Sequence, residues 1–416
     1  MSDQTDSARL RSRSTRVARL ATAIFFIFSL GYGLQTIGIP MYIHSISHES
    51  QGLARYYVDP DSVQITFPEK KRNIIYLFAE SMESSYTARK YGGAFEENYI
   101  PHLTDLALDD LYIQFSHTDQ LGGAFQTASL GWTIAGLVGH SAGIPLKLPI
   151  TDEEYKTHDL FLPGVKGLGD ILQDEGYYLE FLMGSDAEFG GRKQYLEQHG
   201  NFVINDYPQA IADGRLAADY KVGWGYEDEK LFAFTKERIS NLAEGDVPFY
   251  FGLLTLDTHF PNGHVYEDMD QPFDFEYGNA IYGSDTRIYE FVRWFEEQSF
   301  AEDTTLIIAG DHLTMANKFV KDTPSGYVRT TYNLLVNPVA DLFPERNHNR
   351  MFNTLDMFPT TLAAIGVDIE GDQLAYGVNL FSDRKTLLEE LGWEEYDQMM
   401  RPYSSFYENT FIFSNR

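Results

Sequence analysis

The sequence contains no cysteine, so disulfides, thiolate metal sites and cysteine nucleophiles are all excluded. Cationic residues are scarce as well: 32 Lys and Arg stand against 61 Asp and Glu, a formal net charge of −29 with a pI of about 4.6. Phosphate contacts need Lys and Arg, and that shortage argues against a nucleic-acid partner. The same acidity opposes tight electrostatic adhesion to anionic lipid. A solvated acidic surface accounts for it. Internal repeats and low-complexity segments are also absent. What is there is a chain of 416 residues, 43% hydrophobic and 15% aromatic, ample for one large core or two fused lobes.

Long apolar runs are missing except at the amino terminus. Arg9, Arg11, Arg13, Arg16 and Arg19 precede Leu20 to Ile39, twenty residues without a charge. At helical rise that length just spans a hydrocarbon core. Arginines on the leading side place the amino end in the cytoplasm and the remainder outside. No small-x-small cleavage site follows, so the run reads as an uncleaved signal anchor rather than a signal peptide. The expected layout is a basic cytoplasmic tail (1–19), a single-pass anchor (20–42), a stalk or amino-terminal wrap (43–70), a main domain (71–380) and a carboxyl-terminal extension packed on it (381–416). The main domain would then face the periplasm or cell exterior, tethered to the membrane.

Along the main domain, apolar strand-like runs alternate with amphipathic helical patterns. Asn73 to Ala79, Tyr177 to Met183, Pro248 to Leu256, Thr304 to Ala309 and Asn333 to Asn337 suit strands buried on both faces. Pro101 to Asp110, Gly167 to Gly176, Leu231 to Leu242 and Pro359 to Ile365 suit helices. Another helix is expected where Ile288, Phe291, Val292 and Phe295 recur, capped by Ser284 or Asp285. This alternation predicts an α/β sandwich, αβα in layers, with a mostly parallel sheet.

Polar residues cluster at the predicted strand ends: Glu80, the Thr127 region, Asp257 with His259, and Asp311 with His312. A parallel sheet gathers such ends along one edge, however far apart they lie in sequence. Acids, imidazoles and a hydroxyl there make a hard-ligand metal site with its own nucleophile, the chemistry of phosphoryl transfer. Each residue also has a plainer reading. Asp311–His312 can be a polar strand end, Glu83 can replace Glu80 as ligand, His259 can be a turn residue before Pro261, and Arg192 can pair with Asp186 and Glu188 at the surface. His117, His140 and His199 read as packing or hydrogen-bonding histidines rather than ligands. Trp132 and Trp224 can line a pocket or fill the core.

Several motifs occur in one order: Ile74-Ile-Tyr-Leu-Phe-Ala-Glu-Ser-Met-Glu83, Phe115-Ser-His-Thr118, Trp132-Thr-Ile-Ala-Gly-Leu-Val138 with Gly143-Ile-Pro-Leu146, Phe189-Gly-Gly-Arg192, Asp257-Thr-His-Phe-Pro261 and Gly310-Asp-His-Leu313. With Gly169-Asp-Ile-Leu172, Gly176-Tyr177 and His199-Gly200, this set resembles the alkaline phosphatase and sulfatase superfamily. Within it, the likeness is to the membrane-anchored phosphoglycerol transferases, including those of periplasmic glucan synthesis and lipoteichoic acid synthase. The resemblance implies a phosphotransferase that takes glycerol phosphate from phosphatidylglycerol and passes it to a glycan through a phospho-threonine-type intermediate. It implies one divalent metal, Mn²⁺ as first choice with Mg²⁺ or Zn²⁺ as alternatives, held by Glu80, Asp311, His312 and the nucleophilic hydroxyl. Arg192 and His259 match positions that grip the phosphoglycerol head group, and Trp132 joins them as a pocket residue. It also implies a bacterial inner-membrane protein with its catalytic domain in the periplasm.

The nucleophile departs from the family pattern. An ungapped match puts Leu130 where relatives have a threonine, whereas a short insertion brings in Thr127; Ser129 and Thr133 are further choices. Thr127 is the expected nucleophile. The rival readings are a phosphoethanolamine transferase, which usually relies on disulfides, a sulfatase, whose formylglycine motif is missing, a multi-span lipoteichoic acid synthase, and a non-catalytic binding relative.

Overall fold

Runs that are apolar on both faces need cover on both faces, and the two longest lie side by side in the middle of one sheet. The computed structural model describes residues 51–147, 160–266, 269–340 and 347–414, together with separate positions between Arg19 and Gly33. Among them the central sheet has six strands: β1 (Asn73–Ala79), β2 (Tyr178–Met183), β3 (Val203–Asn205), β4 (Phe249–Leu254), β5 (Thr304–Gly310) and β6 (Asn333–Val336). Their spatial order is β3-β2-β4-β1-β5-β6. β1 pairs in parallel with β4 on one side and β5 on the other, with Ala79 opposite Gly310. β6 runs antiparallel to β5, so the sheet is mixed. The carboxyl ends of β1, β2, β4 and β5 therefore open along one edge.

Helices cover both faces. On one side α2 (Thr133–Ala142), α3 (Leu168–Asp174), α4 (Arg192–Gln198) and α7 (Met357–Ala364) pack against Tyr76, Phe78, Ile307 and Ala309. On the other, α1 (Pro101–Ala107), α5 (Asp228–Ala243) and α6 (Glu276–Glu296) pack against Ile75, Leu77, Leu306 and Ile308. Alternate side chains of each strand thus enter different cores.

Against the sequence expectations, one helix start moves, one strand is new, and one of two readings of the amino-terminal segment fits. α6 begins at Glu276, so Ser284 and Asp285 lie inside it rather than capping it. Asp285 is buried and caps a different helix: its carboxylate accepts from the His102 and Leu103 backbone amides at the start of α1, at 3.1 and 2.7 Å, and from the His102 ring. β3 is a three-residue edge strand, too short to show a period. The segment from Gly52 to residue 70 is a wrap rather than a stalk. Ile65–Thr66 pairs with Asp368–Ile369, Val58 bridges Ala375, and Leu53 is buried.

The chain divides into two units, and the larger comprises residues 52–401 and 406–416. In its carboxyl-terminal part Tyr396 is buried with its hydroxyl 2.9 Å from Asn353 Nδ2, and Tyr407 donates to the Pro145 carbonyl at 2.7 Å. The expected anchor at 20–42 lies partly outside the described residues. Its described positions from Thr22 to Gly33 are helical, with Phe25, Phe26 and Phe28 exposed. Among the described residues, no helix is long and apolar enough to cross a membrane.

Candidate active site

Glu80 leaves β1, and Asp311 and His312 leave β5, its neighbour in the sheet. All three are buried, and one donor atom from each lies within 4.8 Å of the others. His312 Nδ1–H donates to the Leu313 carbonyl at 2.9 Å, which leaves Nε2 as the lone-pair nitrogen. That nitrogen stands 3.5 Å from Glu80 Oε1 and 3.6 Å from Asp311 Oδ2. Asp311 Oδ1 accepts from the backbone amides of Ser81 and His312, each at 2.8 Å. Glu80 is oriented by its own amide on Thr255 Oγ1 and by Ser81 Oγ on Oε1, both at 2.8 Å. Asp311 Oδ2 and His312 Nε2 have no hydrogen-bond partner among the described residues.

Burial, and then the neighbouring Glu80 charge, push the Asp311 carboxyl well above its usual range. Burial works against a charged His312 ring, but Asp311 and Glu80 outweigh it and raise the imidazole. Unpartnered acceptors beside clustered negative charge are costly to bury unless a cation joins them. The oxygen and imidazole donors fit a divalent ion such as Mn²⁺, Mg²⁺ or Zn²⁺.

The start of α2 lies against this cluster. A Cβ on Gly136 would fall 2.2 Å from the Asp311 carbonyl oxygen, so glycine is what allows the helix so close. In the first turn, Thr133 Oγ1 lies 3.4 Å from Glu80 Oε2. Thr127 is buried, and its hydroxyl has no partner among the described residues; no hydrogen bond joins it to Glu80, Asp311 or His312. Ser129 sits in a turn with φ +65°. Leu130 is buried in the core, and Trp132 is partly exposed at the start of α2. Of the three hydroxyl candidates, Thr127, Ser129 and Thr133, only Thr133 has a hydrogen bond to the acidic cluster among the described residues.

Arg192 opens α4 and is almost wholly buried. Its guanidinium donates to Ser185 Oγ at 3.1 Å and to the Asp186 and Phe189 carbonyls at 2.6 and 3.0 Å. Burial lowers its pKa to about 10, although Glu80 and Asp311 are among the charges that hold it up. It is a fixed cation close to the acidic cluster. His259 follows β4 and donates from Nδ1 to the Phe260 carbonyl at 2.8 Å, leaving Nε2 without a partner among the described residues. Its ring centroid lies 5.2 Å from that of Trp224.

The Sulfatase family profile matches residues 72–367, which contain every one of these side chains. The chain belongs to the Sulfatase family. It is 31% identical over 300 residues to phosphoglycerol transferase I of Xanthomonas axonopodis pv. citri, a match covering 70% of this chain and 40% of that protein. With phosphoglycerol transferase I of Escherichia coli (strain SMS-3-5) it shares 30% identity over 275 residues, 64% of this chain and 33% of the relative. The chain therefore matches well under half the length of these relatives. Among solved structures, the lipoteichoic acid synthase LtaP from Listeria monocytogenes superposes with a TM-score of 0.60 at 17% identity, over 80% of this chain and 81% of that one. An alkaline phosphatase superfamily protein from Vibrio parahaemolyticus gives 0.56 at 20% identity, over 79% and 75%. At such identities these two show the fold, an alkaline phosphatase-like α/β sandwich.

In this Sulfatase-family chain the other candidates have different occupations. Glu83 is held by Arg329, whose Nε lies 2.9 Å from Oε2 and whose Nη2 contacts Oε1. His140 meets Tyr76 Oη at 2.8 Å and the Gly310 carbonyl at 3.3 Å, and burial lowers its pKa to about 4. His199 lies between Asp170 and the Phe161 carbonyl, and His117 Nδ1 accepts from the Gly123 amide. Sequence reasoning missed Ser81 and Arg329. Ser81 turns the chain with φ +53° and presents its amide to Asp311. Nothing at the sequence level marks either, because both act through partners some 230 or more residues away.

Proposed function

We propose that this chain is the catalytic domain of a metal-dependent phosphoglycerol transferase, moving glycerol phosphate from phosphatidylglycerol to a glycan hydroxyl. The observation that carries it is the Thr133 hydroxyl on Glu80, beside the unpartnered Asp311 Oδ2 and His312 Nε2. The names of the relatives agree with this reading. Glu80, Asp311 and His312 would hold the ion, with Thr133 taking the role first expected of Thr127. A bound divalent cation supplies the positive charge that lowers a nearby hydroxyl pKa and screens phosphoryl oxygens.

The chain's own residues do the rest. Thr133, on the positive first turn of α2, attacks phosphorus; the bond to the diacylglycerol oxygen breaks, and glycerol phosphate stays on Thr133. The proton lost by the threonine balances the one gained by the diacylglycerol hydroxyl, and His259 Nε2 is the group able to relay it. Arg192 pairs with a phosphate oxygen. A sugar hydroxyl then attacks phosphorus, displaces Thr133 and returns the proton. Anchoring through residues 20–42 would keep the domain within reach of the lipid donor at high effective concentration.

Diacylglycerol release from labelled phosphatidylglycerol, with Mn²⁺ present, tests this. Thr133→Ala is expected to lower turnover by roughly a thousandfold or more, with Thr127→Ala close to wild type. The reverse result returns the nucleophile to Thr127. Release from phosphatidylethanolamine instead would make the chain a phosphoethanolamine transferase. No release from either lipid by the metal-loaded chain would leave a binding relative, the reading that the Leu130 mismatch keeps alive.

A further inference from the structure

Two large aromatic side chains at the catalytic edge belong to neither core. Phe189 and Trp224 are each about half exposed, and their ring centroids are 5.7 Å apart. Single exposed aromatics are ordinary on a surface, but these two are joined to the site at both ends. On one side the Arg192 guanidinium lies 5.7 Å from the Phe189 centroid, and on the other the His259 ring lies 5.2 Å from Trp224. The backbone fixes the arrangement. Gly225 bridges Ser185, just past β2, while His259 lies just past β4. A Cβ on Gly225 would meet the Gly184 carbonyl at 1.9 Å, so the loop carrying Trp224 is drawn tightly onto the sheet edge.

We infer that Phe189 and Trp224 form the seat for a sugar ring of the acceptor, with Arg192 at the Phe189 end and His259 at the Trp224 end. This rests on the transferase reading for its role, though not for the binding itself. A pyranose presents a face of C–H groups that covers an aromatic ring while its hydroxyls stay at the rim. The rim carries carboxylates: Asp186 and Glu188 are exposed on the same turn as Phe189, with Glu188 paired to Lys193 at 2.9 Å. Carboxylates take hydrogen bonds from sugar hydroxyls, which favours a hydroxyl-rich glycan as the occupant of the aromatic strip. Rigid aromatic surface also gives contact at low entropic cost.

The test is tryptophan fluorescence of the full chain titrated with laminarihexaose, a neutral gluco-oligosaccharide, with no lipid donor. A saturable change is expected in the wild type and in Thr133→Ala. The affinity should weaken at least tenfold in Phe189→Ala, which keeps the Trp224 fluorophore, and stay intact in Trp393→Ala, with the unfolding transition of Phe189→Ala unmoved. Binding unaffected by Phe189→Ala would overturn the assignment. So would an emission shift with phosphatidylglycerol vesicles and none with the sugar, which would make the strip a membrane face. Binding that survives while the wild type shows no turnover would sink the transferase reading and leave the sugar seat standing.

Discussion

Glu80 and Glu83 leave the same strand, and both are buried, yet their charges are met in opposite ways. Glu83 has a cation of the chain's own: Arg329 grips both oxygens, and the Thr314 amide and Tyr86 hydroxyl add to Oε1 at 2.9 and 3.3 Å. Glu80 faces Asp311, a second acid, and a histidine whose lone pair points inward. Arg192, whose charge is felt at Glu80, donates to Ser185 and to the Asp186 and Phe189 carbonyls instead. Glu83 receives its counter-ion from the fold, whereas the proposed function gives the corresponding place at Glu80 to an ion from outside. Asp228 and Asp257 show a third solution. They cap each other's backbone amides at 3.1 Å, and burial, with Asp228 also acting on Asp257, pushes both carboxyls well above their usual range.

The largest break in the comparison comes from Glu80→Gln. Metal content of the purified chain should fall from one equivalent towards none, and turnover by roughly a thousandfold, on the order of 4 kcal/mol of barrier, with folding retained. Unchanged metal binding would mean that Glu80 is not a ligand. Arg329→Ala should do the opposite. It strands a buried charge and should cost about 3 kcal/mol in denaturant unfolding, while the folded fraction keeps its metal. A small stability change there, with lost metal, would reverse the roles given to the two acids.

Asp257→Asn should act least, changing a slope rather than a level. With both carboxyls raised, the native state binds more protons than the unfolded one above the ordinary carboxylate range. Stability therefore falls as pH rises through neutral, by at most about 1.4 kcal/mol per pH unit for each extra proton. The variant should flatten that fall, read as melting temperature from pH 5 to 9. An unaltered slope would show that the pair does not share its burden through protonation.

The sheet was legible because β1 and β5 are apolar without interruption, which only burial on two faces tolerates. The start of α6 was not. Ser284 and Asp285 have cap chemistry, but Asp285 spends its carboxylate on α1, a partner invisible to local pattern. The choice among the hydroxyls was out of reach of the sequence for a related reason. Thr127 and Thr133 are alike in sequence terms, and the packing of Gly136 on Asp311 brings one of them to Glu80.

Residue order alone determined the α/β alternation, the family and the types of donor at the strand ends, because periodicity and motif spacing are local properties. Which acid lacks a counter-ion, which threonine meets it and which aromatics stay uncovered were decided by tertiary structure. Those outcomes depend on distances between segments up to some 250 residues apart, and only the assembled sheet with its packed helices sets them.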